Sequence, residues 1–121
     1  MRKVAVTGGR NFNDWRLVWQ VLSIANETDP VGLLVHGACP TGADRWAMRW
    51  ADFYQVPHTG QTYAANWTLS GRAAGPIRNH FMLKSEMPDE LFSFPGGSGT
   101  KDCTTKAIRM GINVTYGIKR L

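Results

Sequence analysis

The sequence predicts an α/β fold: an open, parallel, five-stranded sheet with helices on both faces. Three observations carry that expectation. Short apolar runs such as Val4-Ala5-Val6 and Leu33-Leu34-Val35-His36 alternate with stretches whose apolar residues recur every three to four positions, the signatures of buried strands and amphipathic helices. Glycine-bearing turns follow three of the runs, at Gly8-Gly9-Arg10, at Gly37 and at Pro95-Gly96-Gly97-Ser98-Gly99-Thr100; strand, turn and helix in alternation build parallel crossovers. Finally, 121 residues are enough for one domain with a core and too few for two, so a single domain spanning residues 1–121 is expected.

Residues 3–7 read as the first buried strand, and Gly8-Gly9-Arg10 as the turn off its carboxyl end, a Rossmann-like start without the full GxGxxG pattern. Arg10 is either a ligand contact or a solvated loop cation. Asn13 or Asp14 caps the following helix, in which Leu17, Val18, Val21, Leu22 and Ala25 form a sheet-facing stripe that ends near Asn26. Residues 33–36 form the second strand. The turn from Gly37 to Asp44 leads into a helix over about 43–54, with Thr41 or Gly42 at its cap. Asp44 in its first turn either complements the helix dipole or accepts a bond from a ribose hydroxyl. On that helix Ala43, Ala47, Ala51 and Tyr54 share one face, and Trp46, Trp50 and Phe53 form a second stripe about 90° away. Three large rings at that spacing point to a homo-oligomer contact or to a covering element.

Residues 58–63 are a weak third strand, placed at an edge by Pro57. In the loop that follows, Trp67 and Arg72 precede Gly75-Pro76, read as the cap and first residue of another helix, with Ile77 and Phe81 facing inward. Arg78 in that first turn opposes the helix dipole and calls for an anionic partner; Asn79 offers an amide to a base or ribose edge, or lies on the surface. Leu91-Phe92-Ser93-Phe94 is the next strand, residues 101–110 the last helix with Gly111 at its end, and residues 112–116 the final strand.

The turn between the last two of these strands carries the most chemistry. Gly96, Gly97 and Gly99 bring backbone close to a ligand, Thr100 is the expected N-cap, Ser98 adds a hydroxyl, and the free amides and dipole of a helix start favour an anion. Pro95-Gly96-Gly97-Ser98-Gly99-Thr100 resembles the PGGxGT signature of the SLOG superfamily, which includes the LOG phosphoribohydrolases. The GAD segment at Gly42-Ala43-Asp44 and the W-x(3)-G-x-x-AG-x-x-RN pattern from Trp67 through Arg78 and Asn79 are similar to its YspA-like branch. The resemblance implies a strand order of 3-2-1-4-5. That order would gather the three turns at the switch point between the first and fourth strands, where such sheets bind ligands. It also implies a nucleotide-type ligand held by Gly8, Gly9, Arg10, Gly37, Asp44, Trp67, Arg72, Arg78, Asn79, Pro95, Gly96, Gly97, Ser98, Gly99 and Thr100. Catalytic members continue as PGGxGTxxE; Cys103 stands where they carry the glutamate, which implies a binder rather than a hydrolase. For hydrolysis, Asp44 and Asp102 are the carboxylates near the predicted turns, apart from Asp14.

Lys and Arg number 14 against 9 Asp and Glu, an excess suited to an anionic partner. The basic residues are scattered with no run of three, so a phosphorylated, nucleotide-derived small molecule is expected rather than nucleic acid. Cys39, Cys103 and the isolated His36, His58 and His80 suggest neither a disulfide framework nor a metal site, and no cofactor is expected. No apolar run approaches the roughly 20 residues of a membrane span, and a cytoplasmic location follows, in the host cytoplasm if the chain is phage-encoded. The expected role is capture of a nucleotide signal as a sensor or a sequestering protein.

Overall fold

The computed structural model describes residues 1–118. A parallel sheet carries β1 (Lys3–Thr7), β2 (Leu33–Val35), β3 (Glu90–Ser93) and β4 (Asn113–Tyr116) in the order β2-β1-β3-β4. The helices are α1 (Trp15–Thr28), α2 (Gly42–Phe53), α3 (Trp67–Ser70), α4 (Ala74–Glu86) and α5 (Ser98–Arg109), with a 3₁₀ turn at Gly71–Ala73 leading into α4. No helix among the described residues is long and apolar enough to cross a membrane.

The sheet has four strands, not five. The expected third strand contributes one bridge, His58 beside Leu34, and the chain then turns away at Gly60 (φ +55°). Thr59 explains why the ladder stops. Its hydroxyl accepts from the His36 amide at 3.1 Å and donates to the His36 carbonyl at 3.2 Å, taking the places a further strand's backbone would occupy. The remaining strands keep the expected relative order.

Alternation in β1 divides the core in two. Val4 and Val6 face α1 and α2, where Val18, Leu22 and Ala25 of α1 meet Leu34 and Phe92. Ala5 faces α4 and α5, packed with Met82, Leu83, Leu91 and Ala107. Each fully buried Val, Leu or Phe contributes about 1.5–3 kcal/mol. Asp14 caps α1 by accepting from the Leu17 amide at 3.2 Å. The alanine face of α2 lies on the sheet as expected, with Ala43, Ala47 and Ala51 fully buried.

Trp50 does not belong to a surface stripe. It is fully buried, and its indole donates to Ser23 Oγ of α1 at 3.1 Å; α1 covers it. Of the three rings expected in an oligomer contact, Phe53 is 71% exposed and Trp46 is half-buried. The register of α4 also differs from expectation. Ile77 and Phe81 are exposed, and Ala74, Asn79, Met82 and Leu83 are buried. The helix runs on from the 3₁₀ turn, with Gly75 and Pro76 inside its first turn rather than at its cap. Similarly, α5 starts at Ser98 with Gly97 as N-cap, and Thr100 lies within the first turn.

Candidate ligand-binding site

The loops after β1, β2 and β3 meet at the carboxyl edge of the sheet. Gly9 joins them: its amide donates to the Pro95 carbonyl at 2.9 Å, and its carbonyl accepts from Phe12 at 3.1 Å and from Ala43 at 3.4 Å. Gly42 makes the last contact possible. Its φ of +74° favours glycine, and a Cβ there would strike the Gly9 carbonyl and the Arg10 backbone.

Above this junction opens a cavity of about 600 Å³. Of the residues predicted from sequence, Gly8, Gly9, Arg10, Asp44, Trp67, Arg72, Arg78, Asn79, Gly97, Ser98, Gly99 and Thr100 line it, and Asp102 does too. Gly37, Pro95 and Gly96 do not; they hold the loops together. The Gly37 carbonyl accepts from Arg78 Nη1 at 2.6 Å, Pro95 receives the Gly9 amide, and Gly96 packs on Gly9. Cys39 and Met82 also line the cavity and went unread in the sequence. The signal for Met82 was its helical spacing from Arg78; Cys39 had only its place in a turn. A larger groove of about 810 Å³ lies between α1 and β4, lined mainly by Leu17, Val21, Ile24, Phe92 and Ile118. Its charged groups are engaged with each other, Arg2 with Glu90 at 3.3 Å, and Thr115 also donates to Glu90 at 2.6 Å; it lies away from the carboxyl edge of the sheet, where such folds bind ligands.

At the α5 end, a Cβ at Gly97 or Gly99 would meet nothing within 4 Å, and among the described residues the Gly97, Ser98 and Gly99 amides make no hydrogen bond. Arg78 of α4 also lines the cavity. Its Nε donates to Asn79 Oδ1 at 2.8 Å and its Nη1 to Gly37, leaving the second terminal nitrogen for an anion. Asn79 is largely spent on the protein, since Nδ2 donates to the Gly99 carbonyl at 3.2 Å and to Asp102 Oδ2 at 3.1 Å. It positions Arg78 and α5. Arg10 lies over the Trp67 ring at 5.3 Å on the rim.

The two carboxylates of the cavity have opposite surroundings. Asp102 is gripped by Lys106 Nζ at 2.8 and 2.9 Å as well as by Asn79. Asp44 is buried, and burial raises its carboxyl from the ordinary 3.8 to about 6, against the Cys39 and Gly37 amides that donate to Oδ2 at 3.2 Å and the nearby Arg78 charge. Cys103 lies fully buried in the core cluster beneath, its thiol pushed up to about 11, mainly by desolvation. It is neutral and unreactive at pH 7.

Asp44 gives a pH test. Between about pH 4 and 6 the folded state retains a proton that the unfolded chain has lost, so this carboxyl makes stability fall as pH rises. The displacement corresponds to about 3 kcal/mol. Asp44→Asn, which mimics the protonated form, is expected to match the parent in urea denaturation near pH 4 and to become the more stable protein toward pH 7. Parallel stability curves for the two proteins would show that the carboxyl is not raised.

His36 sits next to this loop and acts in the other direction. It is fully buried, and desolvation, with the His58 charge next in importance, lowers it to about 4. Its Nδ1 accepts from the Ala38 amide at 3.0 Å, so Nε2 carries the hydrogen and donates to His58 Nδ1 at 2.9 Å. His36 therefore adds stability as pH rises from about 4 to 6.5, which is why the Asp44 test compares two proteins that both contain it.

Three comparisons with known proteins agree with this architecture. The family model for YAcAr, described as the YspA, cpYpsA-related SLOG family, matches residues 2–69. The chain is 36% identical over 122 residues to the Gene 61 protein of Mycobacterium phage D29, covering 94% of each. In structure it is similar to the Moco carrier protein of Chlamydomonas reinhardtii, with a TM-score of 0.62 at 13% identity, covering 95% of this chain and 75% of that one. At that identity the likeness is one of fold.

Proposed function

Because the chain belongs to the YspA, cpYpsA-related branch of the SLOG family, we propose that its cavity binds a phosphorylated, nucleotide-derived small molecule and holds it without turnover. The observation that carries this reading is the bare first turn of α5. Gly97, Ser98 and Gly99 of that turn line the same cavity of nucleotide size as Arg78, whose Nε and Nη1 are bonded to the protein and whose second terminal nitrogen makes no bond among the described residues. Asp44 supplies an acceptor for a ribose hydroxyl, and Arg10, held over the Trp67 ring, a cation at the mouth. Cys103, neutral and buried, supports binding over hydrolysis. The phage relative supports sequestration of a host nucleotide signal in the host cytoplasm, and the carrier named among proteins of similar fold is consistent with a small-molecule cargo.

One observation favours hydrolysis instead. Burial raises the Asp44 carboxyl to about 6, and Asp102, paired with Lys106, lines the same cavity; two carboxyls in unlike surroundings are what acid–base cleavage of an N-glycosidic bond uses. Mass spectrometry of small molecules released by denaturing the freshly purified protein decides first whether a nucleotide is present. Incubation with AMP, cyclic dinucleotides, NAD and ADP-ribose-type compounds then separates the two readings. Recovery of the bound compound intact supports the binder; free base accumulating with time, and lost in Asp44→Asn or Asp102→Asn, overturns it. Arg78→Ala is expected to weaken binding by about 1.5–3 kcal/mol, the range for a hydrogen bond to a charged group. An unchanged affinity in calorimetry would leave Arg78 only its bonds to Gly37 and Asn79.

A further inference from the structure

The flank shared by α1 and α2 carries a second recognition surface, and none of its residues lines the cavity. At about 100° per residue, Arg45, Arg49, Phe53 and Trp46 fall within an arc of about 100° on the outer side of α2. Phe53 is 71% exposed. It is not a loose ring: Trp19 of α1 meets it edge-on, with centroids 5.9 Å apart, and Trp19 also meets Trp15 at 5.9 Å. The result is a firm aromatic ridge, costly to leave in water.

The charges around the ridge are mostly positive, with Asp52 the exposed carboxylate beside them. Arg16 lies over Trp15 at 4.9 Å, and Arg45 and Arg49 lie over Trp46 at 6.0 and 5.8 Å. The nearest carboxylates are engaged elsewhere, Asp52 with His58 at 3.1 Å and Asp14 as the cap of α1. We propose that this flank docks an acidic protein segment, one that presents carboxylates around a single large apolar side chain. The apolar side chain packs on Phe53, and the carboxylates take the outward N–H forks of the arginines, whose planar geometry suits bidentate pairing.

The same details disfavour other occupants. A nucleobase needs a free ring face, and the guanidiniums lie over the faces of Trp15 and Trp46. A second copy on a two-fold axis would set the same arginines against each other in a chain of net charge +5. Because the surface and the cavity share no residue, the docking proposal and the ligand reading fail independently.

A random-peptide display selection against the purified full chain tests the proposal. Enriched peptides are expected to place Asp or Glu around one Leu, Phe or Trp. Their affinity is expected to fall by about tenfold or more in Arg45→Glu/Arg49→Glu and separately in Phe53→Ser, with circular dichroism unchanged, and to be unaffected by Gly97→Val in the cavity. No enrichment, enrichment without acidic residues, or equal binding to the charge-reversed variant would each overturn it. So would self-association in sedimentation, or binding of an oligothymidine, that is abolished by the same arginine substitutions.

Discussion

Trp50→Ala is expected to lower stability by about 3–5 kcal/mol, the cost of truncating a buried tryptophan, and Trp50→Glu to leave the chain largely unfolded. Total stability of a domain is only about 5–15 kcal/mol. The glutamate would lose the packing between α1, α2 and the sheet, remove the indole's bond to Ser23, and place an unpaired charge where no water reaches. Thermal melts and urea denaturation measure the first variant; loss of the cooperative transition identifies the second. A Trp50→Glu protein that melts like the parent would return Trp50 to the surface and revive a three-ring contact with Trp46 and Phe53. Phe53→Ser serves as the counterpart, since its exposed ring loses only its edge contacts with Trp19 and Tyr54, a cost of about 0.5–1.5 kcal/mol that leaves the chain folded.

The second large effect separates two glycines that adjoin in sequence. A Cβ at Gly96 would lie 2.6 Å from the Gly9 amide nitrogen and overlap the Thr100 side chain, so Gly96→Val is expected to spread the loops and damage the fold itself. At Gly97 and Gly99 the added group meets nothing within 4 Å, and both residues line the cavity. Gly97→Val is therefore expected to melt within a few degrees of the parent yet bind its nucleotide-type ligand about 100-fold or more weakly, a loss of about 2.7 kcal/mol. Calorimetry and melting curves on the two variants make the comparison. Normal binding by a folded Gly97→Val would remove this turn from the site.

Four strands, the turns after them and the sheet-facing side of α2 were legible because they rest on short-range patterns: apolar runs, glycines directly after them, and alanines every fourth residue; the strand order and the convergence of the turns came from the family resemblance. What failed depended on neighbours distant in sequence. Periodicity placed Trp50 near Trp46 and Phe53, but only the arrival of α1 with Ser23 decides that Trp50 is inside. Gly75-Pro76 has the composition of a helix start; the 3₁₀ turn before it begins the helix sooner and rotates Ile77 and Phe81 outward. Thr59 looks like a strand residue, and its side chain is what closes the sheet. In the site the cationic and glycine positions were readable from type and spacing. That Gly37, Pro95 and Gly96 fasten loops rather than face the cavity, and that Asn79 is spent on Arg78, Gly99 and Asp102, are matters of partner choice that no spacing encodes.

The hydrogen bonds of Gly9 bear on how fast a ligand comes and goes. With its amide and carbonyl both committed, one residue ties three loops into a unit, so the floor of the cavity is already set when a ligand arrives. Preorganisation of this kind removes a conformational cost from association. Differences in affinity among related ligands are then expected to appear as differences in residence time, with association rates varying far less.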